Sequence, residues 1–119
     1  MISGISDRAV FANIRSDGQH VRTGDLRLRY LLIAEDDGNP QVPQLAYAIS
    51  RKVGNAVVRN RIRRRLRAVF SQQVVEYPGV LGAGVVIVLP GAAERNYDEL
   101  HEQVSMLMKK VEKSTDSTL

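Results

Sequence analysis

The sequence contains no cysteine, and none of its 119 residues belongs to an apolar run approaching the ~20 residues of a membrane-spanning helix. Without cysteine there can be no disulfide framework, no thiolate zinc site and no thiol nucleophile. The N-terminus has neither the basic start nor the apolar stretch of a secretory signal. We therefore expect a soluble cytoplasmic protein with no membrane partner. One domain should cover residues 1–112, followed by a flexible polar tail over residues 113–119.

Acidic residues are missing from one third of the chain. Residues 38–75 include no Asp or Glu but eight basic residues, seven of which are arginine. The rest of the chain holds nine basic and 13 acidic residues, so the net charge of +4 comes from this window. Arginine binds phosphate through a planar fork and stacks on bases. The pattern predicts an anionic polymer, RNA or DNA, as the partner.

Residues typical of catalysis are also scarce. The two histidines, His20 and His101, lie beside no catalytic or metal-ligand motif, and we assign them surface or structural roles. The acidic cluster Glu35, Asp36 and Asp37 is interpreted as a solvated turn rather than a metal site. No phosphate-cradling glycine motif, zinc spacing or nucleophile elbow occurs. We expect no chemistry from this polypeptide alone and no small-molecule substrate.

Hydrophobic periodicity predicts three helices and three strands. Strands are expected over residues 26–34, where Leu and Tyr alternate with Arg, over residues 45–50, and over the apolar run 85–89. A first amphipathic helix is expected around residues 5–14, and the last is marked by Leu100, Val104, Leu107, Met108 and Val111. The polar segments 15–24 and 35–43 are interpreted as turns or loops. The order α-β-β-α-β-α, with room for an extra short strand, predicts an α/β (α+β) two-layer sandwich with a single mixed sheet.

The second helix carries most of the positive charge. Its start is predicted at Asn55, a favourable capping residue, and its apolar stripe consists of Val58, Ile62, Leu66, Val69 and Phe70. Most of the arginines between positions 59 and 67 fall away from this stripe. Six arginines so close together repel one another, so we expect a partner to neutralise them.

The stretch AYAISRKVGNAVVRNRIRRRLRAVF, residues 46–70, closely resembles the protein component of bacterial ribonuclease P. Its hallmark is the triplet Arg59-Asn60-Arg61 behind a Ser-basic-Lys-Val-Gly-Asn-Ala-Val run. The resemblance continues in VFANIRSDGQHVRTGDLRLRYLL before this block and in GAGVVIVLPGAAERNYDELHEQVSMLMKKV after it, which is nearly the whole chain. It implies a small basic subunit that binds a large catalytic RNA. It also implies an unusual left-handed βαβ crossover.

The resemblance also implies separate roles for the RNA and the protein of the holoenzyme. The RNA, with bound Mg²⁺, removes the 5′ leader of precursor transfer RNA, and the protein contributes substrate binding and metal affinity. No residue of this chain is expected to be catalytic, and the sequence leaves protein-bound metal sites unassigned. The residues expected at the catalytic RNA are Arg51, Lys52, Gly54, Asn55, Arg59, Asn60, Arg61, Arg63, Arg64 and Arg67.

A cleft between the first helix and the sheet is implied for the single-stranded leader. We place Phe11 and Tyr30 there as stacking residues, together with Leu28 and Ala48 on the same face as Tyr30. Core packing is the competing interpretation for both aromatic residues, and a one-residue slip of the strand register would turn that face around. The chain departs from the family pattern at Arg27 and Arg29, whose positions are commonly apolar.

Two other functions remain open at this point. A general RNA-binding or ribosomal protein could use the same α/β scaffold. A self-sufficient protein nuclease would need a metal or acid–base constellation, which the sequence does not display.

Overall fold

The computed structural model describes residues 3–5, 8–32, 44–76 and 81–116. These segments contain five strands and three helices, and a short 3₁₀ turn, Pro90–Glu94, precedes the last helix. The elements in chain order are β1 (Ser3–Gly4), α1 (Arg8–Asp17), β2 (Gln19–Thr23), β3 (Leu26–Leu32), β4 (Gln44–Ile49), α2 (Ala56–Glu76), β5 (Leu81–Val88) and α3 (Tyr97–Asp116).

The strands form a single mixed sheet in the order β1-β4-β5-β3-β2. β4 pairs in parallel with β1 and β5, whereas β3 pairs antiparallel with β5 and β2. The predicted mixed sheet with three helices is confirmed, and α2 is the crossover between the parallel neighbours β4 and β5. The hand of that crossover stays a prediction.

One face of the sheet builds the hydrophobic core against α2 and α3. Strand β3 presents Leu26, Leu28 and Tyr30 to this face, and all three are at most 1% exposed. The predicted apolar stripes of both long helices meet them because a helical period of 3.6 puts those residues on one side. The helix residues buried here are Ile62, Leu66, Val69, Phe70, Leu100, Val104, Leu107, Met108 and Val111.

Helix α1 lies against the other face of the sheet, over β3 and β5. Its residue Ile14 is 2% exposed, and Val10 and Phe11 are half-buried on the same side of the helix. The Arg29 guanidinium, which points away from the core, donates to the carbonyl oxygen of Arg15 at 3.1 Å. This bond satisfies a carbonyl in the last turn of α1 and fixes the helix to the sheet.

Three local predictions differ from the structure. Within the predicted polar turn 15–24, residues 19–23 form strand β2, whose exposed edge position explains its polar sequence. Helix α1 begins at Arg8 rather than near Ile5. Helix α3 continues to Asp116, so the first four residues of the predicted tail are helical. The predicted loop 35–43, with its acidic cluster, lies outside the described residues.

Candidate nucleic-acid interface

Helix α2 separates its apolar and basic residues onto opposite sides. Ile62, Leu66 and Phe70 are at most 1% exposed, whereas Asn60, Arg64 and Arg67 are exposed. Arg59, Arg61 and Arg63 are half-buried along the flanks of the helix. The predicted arginine surface therefore lies on the side of α2 away from the core, with Asn60, Arg64 and Arg67 as its exposed centre. We call this surface the α2 patch and define it as Arg59, Asn60, Arg61, Arg63, Arg64 and Arg67 with the preceding Arg51 and Lys52.

The turn before α2 extends this surface through local structure. Arg51 and Lys52 are exposed there, while Val53 anchors the turn in the core at 6% exposure. A Cβ at Gly54 would lie 2.8 Å from Val58 Cγ1, so the chain needs the smallest residue at this position.

Asn55 starts the helix, as the sequence predicts. Its Oδ1 accepts a hydrogen bond from the Val58 backbone N–H at 3.0 Å. The first turn of α2 contains no acidic residue. The positive end of the helix dipole therefore adds to the charge of the α2 patch, which favours binding of an anion.

Within the described residues, no arginine of the α2 patch forms an ion pair. The two salt bridges there both belong to Arg95, which contacts Asp25 at 2.8 Å and Glu99 at 3.3 Å. Arg63 instead donates to the Asn60 Oδ1 at 2.7 Å. That bond orients the central Asn of the triplet beside a guanidinium without neutralising any charge.

Arg65 differs from its neighbours. Its guanidinium donates to the backbone oxygen of Arg95 at 3.2 Å, which ties α2 to the segment before α3. It was not among the residues predicted at the RNA, and this contact gives it a structural role.

Tyr47 lies beneath the same helix. Its ring contacts Phe70 edge-on, with centroids 6.4 Å apart. Its buried hydroxyl has no hydrogen-bond partner within the described part of the chain. Burial raises the pKa of Tyr47 to about 12, and the nearby charge of Arg67 opposes that shift.

The side of the sheet that faces away from α2 and α3 carries a second set of basic residues. We call it the outer face. The strand register aligns two rows across β4, β5, β3 and β2, and each row runs from apolar to basic. The first row is Ala48, Ile87, Arg27 and Arg22, and the second is Ala46, Val85, Arg29 and His20.

The predicted cleft residues divide between the two faces of the sheet. Ala48 is exposed on the outer face, and Phe11 of α1 is half-buried above that side. Leu28 and Tyr30 lie in the core at 0% and 1% exposure, and the Tyr30 hydroxyl bonds to Gln19 Oε1 at 3.2 Å. Their assignment to an RNA cleft is wrong, because the alternating arginines, not the apolar residues, face outward.

Comparison with known proteins decides the family. The family model described as Ribonuclease P matches residues 3–112. The chain belongs to the ribonuclease P protein family. It is 34% identical over 91 residues to the ribonuclease P protein component of Acidothermus cellulolyticus, covering 75% of each chain. It is 41% identical over 87 residues to that of Gluconacetobacter diazotrophicus, covering 73% of this chain and 69% of the relative. Membership of this family implies a role in transfer RNA processing as part of an endoribonuclease complex.

Solved structures of ribonuclease P proteins share the fold. The protein from Staphylococcus aureus superposes with a TM-score of 0.69 at 24% identity, covering 88% of this chain and 91% of that one. The protein from Thermotoga maritima gives a TM-score of 0.71 at 20% identity, covering 91% and 96%. Within the described residues, no helix is long and apolar enough to cross a membrane.

The outward arginines of β3 are not among the site residues predicted from the sequence. Arg27 is exposed and Arg29 half-buried, and with His20 and Ile87 they line a depression of about 260 Å³. The alternation of residues 26–32 contained this information, because one set of alternating residues must face outward. The prediction placed the cleft on the side of β3 that carries Tyr30, which is the buried side.

Proposed function

We propose that this chain is the protein subunit of a ribonuclease P holoenzyme and that the α2 patch docks on the catalytic RNA. The observation that carries the proposal is the arginine surface of α2, which has no acidic partner among the described residues. Arginine forks bind phosphate oxygens in pairs, and each contact releases counterions from the RNA. In this assignment Arg64 and Arg67 contact the phosphate backbone of the catalytic RNA, and Asn60 contacts one of its base edges or 2′-hydroxyls.

The leader of precursor transfer RNA is assigned to the outer face of the sheet, beside α1. Ala48 and Ile87 provide a shallow apolar floor, and Phe11 supplies an aromatic ring on which an unpaired base can stack. A groove of about 460 Å³, lined by Ala48, Ile87 and Lys52, leads from this floor toward the turn before α2. The leader would thus start next to the RNA-docking surface.

Mg²⁺ is assigned to the RNA of the holoenzyme, where it would supply metal-assisted hydrolysis of the phosphodiester bond. Within the described residues no group of three or more His, Cys, Asp or Glu side chains is arranged to hold a metal ion. The task of this chain is to hold the two RNAs together, which raises the local concentration of substrate at the catalytic RNA.

Multiple-turnover cleavage of a precursor transfer RNA by the matching catalytic RNA tests the proposal. At low Mg²⁺, adding the protein should stimulate cleavage at the correct 5′ position, because protein cations replace part of the charge screening by the metal. Protein alone should cleave nothing. Tight binding to unrelated structured RNAs without any stimulation would contradict the proposal and indicate a general RNA-binding protein.

A further inference from the structure

Four basic residues lie together on the outer face of β2 and β3, at the sheet edge farthest from β4. The register places Arg22 directly opposite Arg27 and His20 directly opposite Arg29. We call this group the basic square. His20, Arg22 and Arg27 are exposed, and Arg29 is half-buried.

Within the basic square, the like charges of Arg22 and Arg27 lie directly opposite each other across the β2–β3 pair, which weakens a sheet unless something compensates. Among the described residues no ion pair reaches any of the four side chains. The acidic residue of the adjoining turn, Asp25, is engaged by Arg95 at 2.8 Å and by Gln103 at 3.2 Å. A further cation, Lys110, approaches the edge and donates to the Arg22 carbonyl oxygen at 2.6 Å.

Nothing in the core requires these side chains. The inward positions of the same strands, Val21, Leu26 and Leu28, already complete the packing. Arg29 donates one hydrogen bond to α1, but within the described part of the chain the side chains of Arg22 and Arg27 form no hydrogen bond or ion pair that holds them in the fold. Because Arg22 and Arg27 weaken the pairing of β2 and β3 and are not needed for packing, we interpret their charge as serving to bind an anionic ligand.

The basic square continues the proposed leader path. Ile87 lines both the groove that contains Ala48 and Lys52 and the depression that contains Arg27 and Arg29. Ala48, Ile87, Arg27 and Arg22 occupy one row across four strands, a span of about 14 Å at the usual strand spacing. A single strand of RNA following this row would leave an apolar floor and arrive at a basic edge.

We propose that the basic square is a phosphate-binding site for the 5′-distal part of the leader, with Arg22 and Arg27 as its main contacts. The proposal rests on the proposed function, since it needs a leader on the outer face. It makes binding depend on leader length: the nearer nucleotides contact the apolar floor, and the phosphates beyond them contact the two arginines. Because phosphate contacts carry no sequence information, the site should accept any leader sequence.

The test measures affinity of the holoenzyme for precursors whose leaders grow one nucleotide at a time. We compare wild type, the double variant Arg22→Ala/Arg27→Ala, and the control Lys109→Ala/Lys113→Ala, which removes two exposed cations from α3. With the shortest leaders all three proteins should bind equally. Beyond a threshold length, wild type and control should gain affinity and the double variant should not, which leaves a gap of roughly tenfold.

The salt dependence gives a second readout. For long leaders, losing two single-strand phosphate contacts should make the slope of log K against log salt shallower by about 1.4. The variant Arg22→Lys/Arg27→Lys keeps both charges and should retain the wild-type slope, which separates loss of charge from damage to the strands.

The proposal would be overturned by a gap that is the same for every leader length and for mature transfer RNA, or by the absence of a gap at any length. Weaker binding to the catalytic RNA in the absence of precursor would also overturn it, since the square would then belong to the other interface. If wild type fails to stimulate cleavage, the proposed function itself fails. If wild type stimulates and only the length dependence is missing, the proposed function stands and the square has no part in it.

Discussion

Helices α2 and α3 are almost equal in length, at 21 and 20 residues, and both pack on the same face of the sheet. Their charged residues are nevertheless used differently. The α2 helix carries six arginines and a single acid, Glu76, whereas α3 mixes acidic and basic residues along its length. In α3 the acidic Asp98 and Glu99 lie in the first turn and Lys113 lies in the last. This order stabilises the helix without a ligand, because each charge is opposite in sign to its end of the helix dipole.

The local bonding of the two helices follows the same division. Asn96 and Glu99 form a reciprocal cap at the start of α3, in which each side chain accepts from the other's backbone N–H, at 2.8 and 3.1 Å. The bond from the Asn96 N–H lowers the pKa of Glu99, and Arg95 lowers it further. The α2 helix has its Asn55 cap, but its arginines are left without acids among the described residues. The charged residues at the start of α3 therefore stabilise the fold, whereas the arginines of α2 are available to bind a ligand.

The largest expected effect comes from removing charge from α2. Replacing Arg59, Arg61 and Arg64 by Ala should weaken binding to the catalytic RNA by about 100-fold or more, because three phosphate contacts are lost. The slope of log K against log salt should become shallower by about 2 to 3. Titrations over a range of salt concentrations measure both quantities.

The matched control removes three cations from α3, with the changes Lys109→Ala, Lys110→Ala and Lys113→Ala. These lysines are exposed, and affinity for the catalytic RNA should change little. If the α2 variant kept the wild-type salt slope, or if both variants lost the same affinity, the docking surface would lie elsewhere.

An intermediate effect, on stability rather than on binding, is expected at Asp25. Its carboxylate accepts from Arg95 and Gln103, and its backbone N–H donates to the Gln103 side chain at 3.1 Å, so it fixes the β2–β3 turn to α3. Asp25→Ala should lower the thermal unfolding midpoint by about 5 °C. Affinity for the catalytic RNA, measured below that midpoint, should stay at the wild-type value. Lost affinity with an unchanged midpoint would refute this division of roles.

The smallest effect is expected from Tyr47→Phe. Since the Tyr47 hydroxyl is buried without a partner among the described residues, its removal should change the free energy of unfolding by less than about 1 kcal/mol at neutral pH. The pKa of this phenol rises from 10.0 to about 12 in the folded protein. The folded state thus favours the neutral phenol. The resulting contribution to the free energy of unfolding is fully present below pH 10 and is lost as the pH rises toward 12.

Denaturant titrations of wild type and Tyr47→Phe between neutral and alkaline pH test this linkage. The wild-type free energy of unfolding should fall more steeply above pH 10 than that of the variant. Parallel curves for the two proteins would show that Tyr47 titrates normally in the folded protein.

The sequence predicted the long helices and the central strands because each has one dominant period. The five apolar residues named for α3 are all 0% exposed, and Asn55 caps α2 as expected. Strand β2 was missed because an edge strand buries little: in QHVRT, Thr23 is buried, Val21 is half-buried and the other three residues are exposed. The pairing of Asp25 with Arg95, 70 residues apart, leaves no local signal in the sequence.

The candidate site shows the same limit. The α2 patch could be predicted because its residues are consecutive on one helix and share one period. The outer face was missed although the alternation of Leu and Arg over residues 26–29 separates an apolar from a basic side of β3. What the sequence could not supply is the register of β3 with its neighbours, which places Arg27 opposite Arg22 of β2 and Ile87 of β5.

The most direct test of docking through α2 uses the absence of cysteine. A hydroxyl-radical reagent is tethered to a single cysteine at Ala68→Cys, an exposed position one turn beyond Arg64, and the control is Glu102→Cys on the exposed side of α3. We expect localised scission of the catalytic RNA from position 68 and none from position 102. Scission from position 102 alone, or none from position 68 in a complex that still stimulates cleavage, would contradict docking through α2.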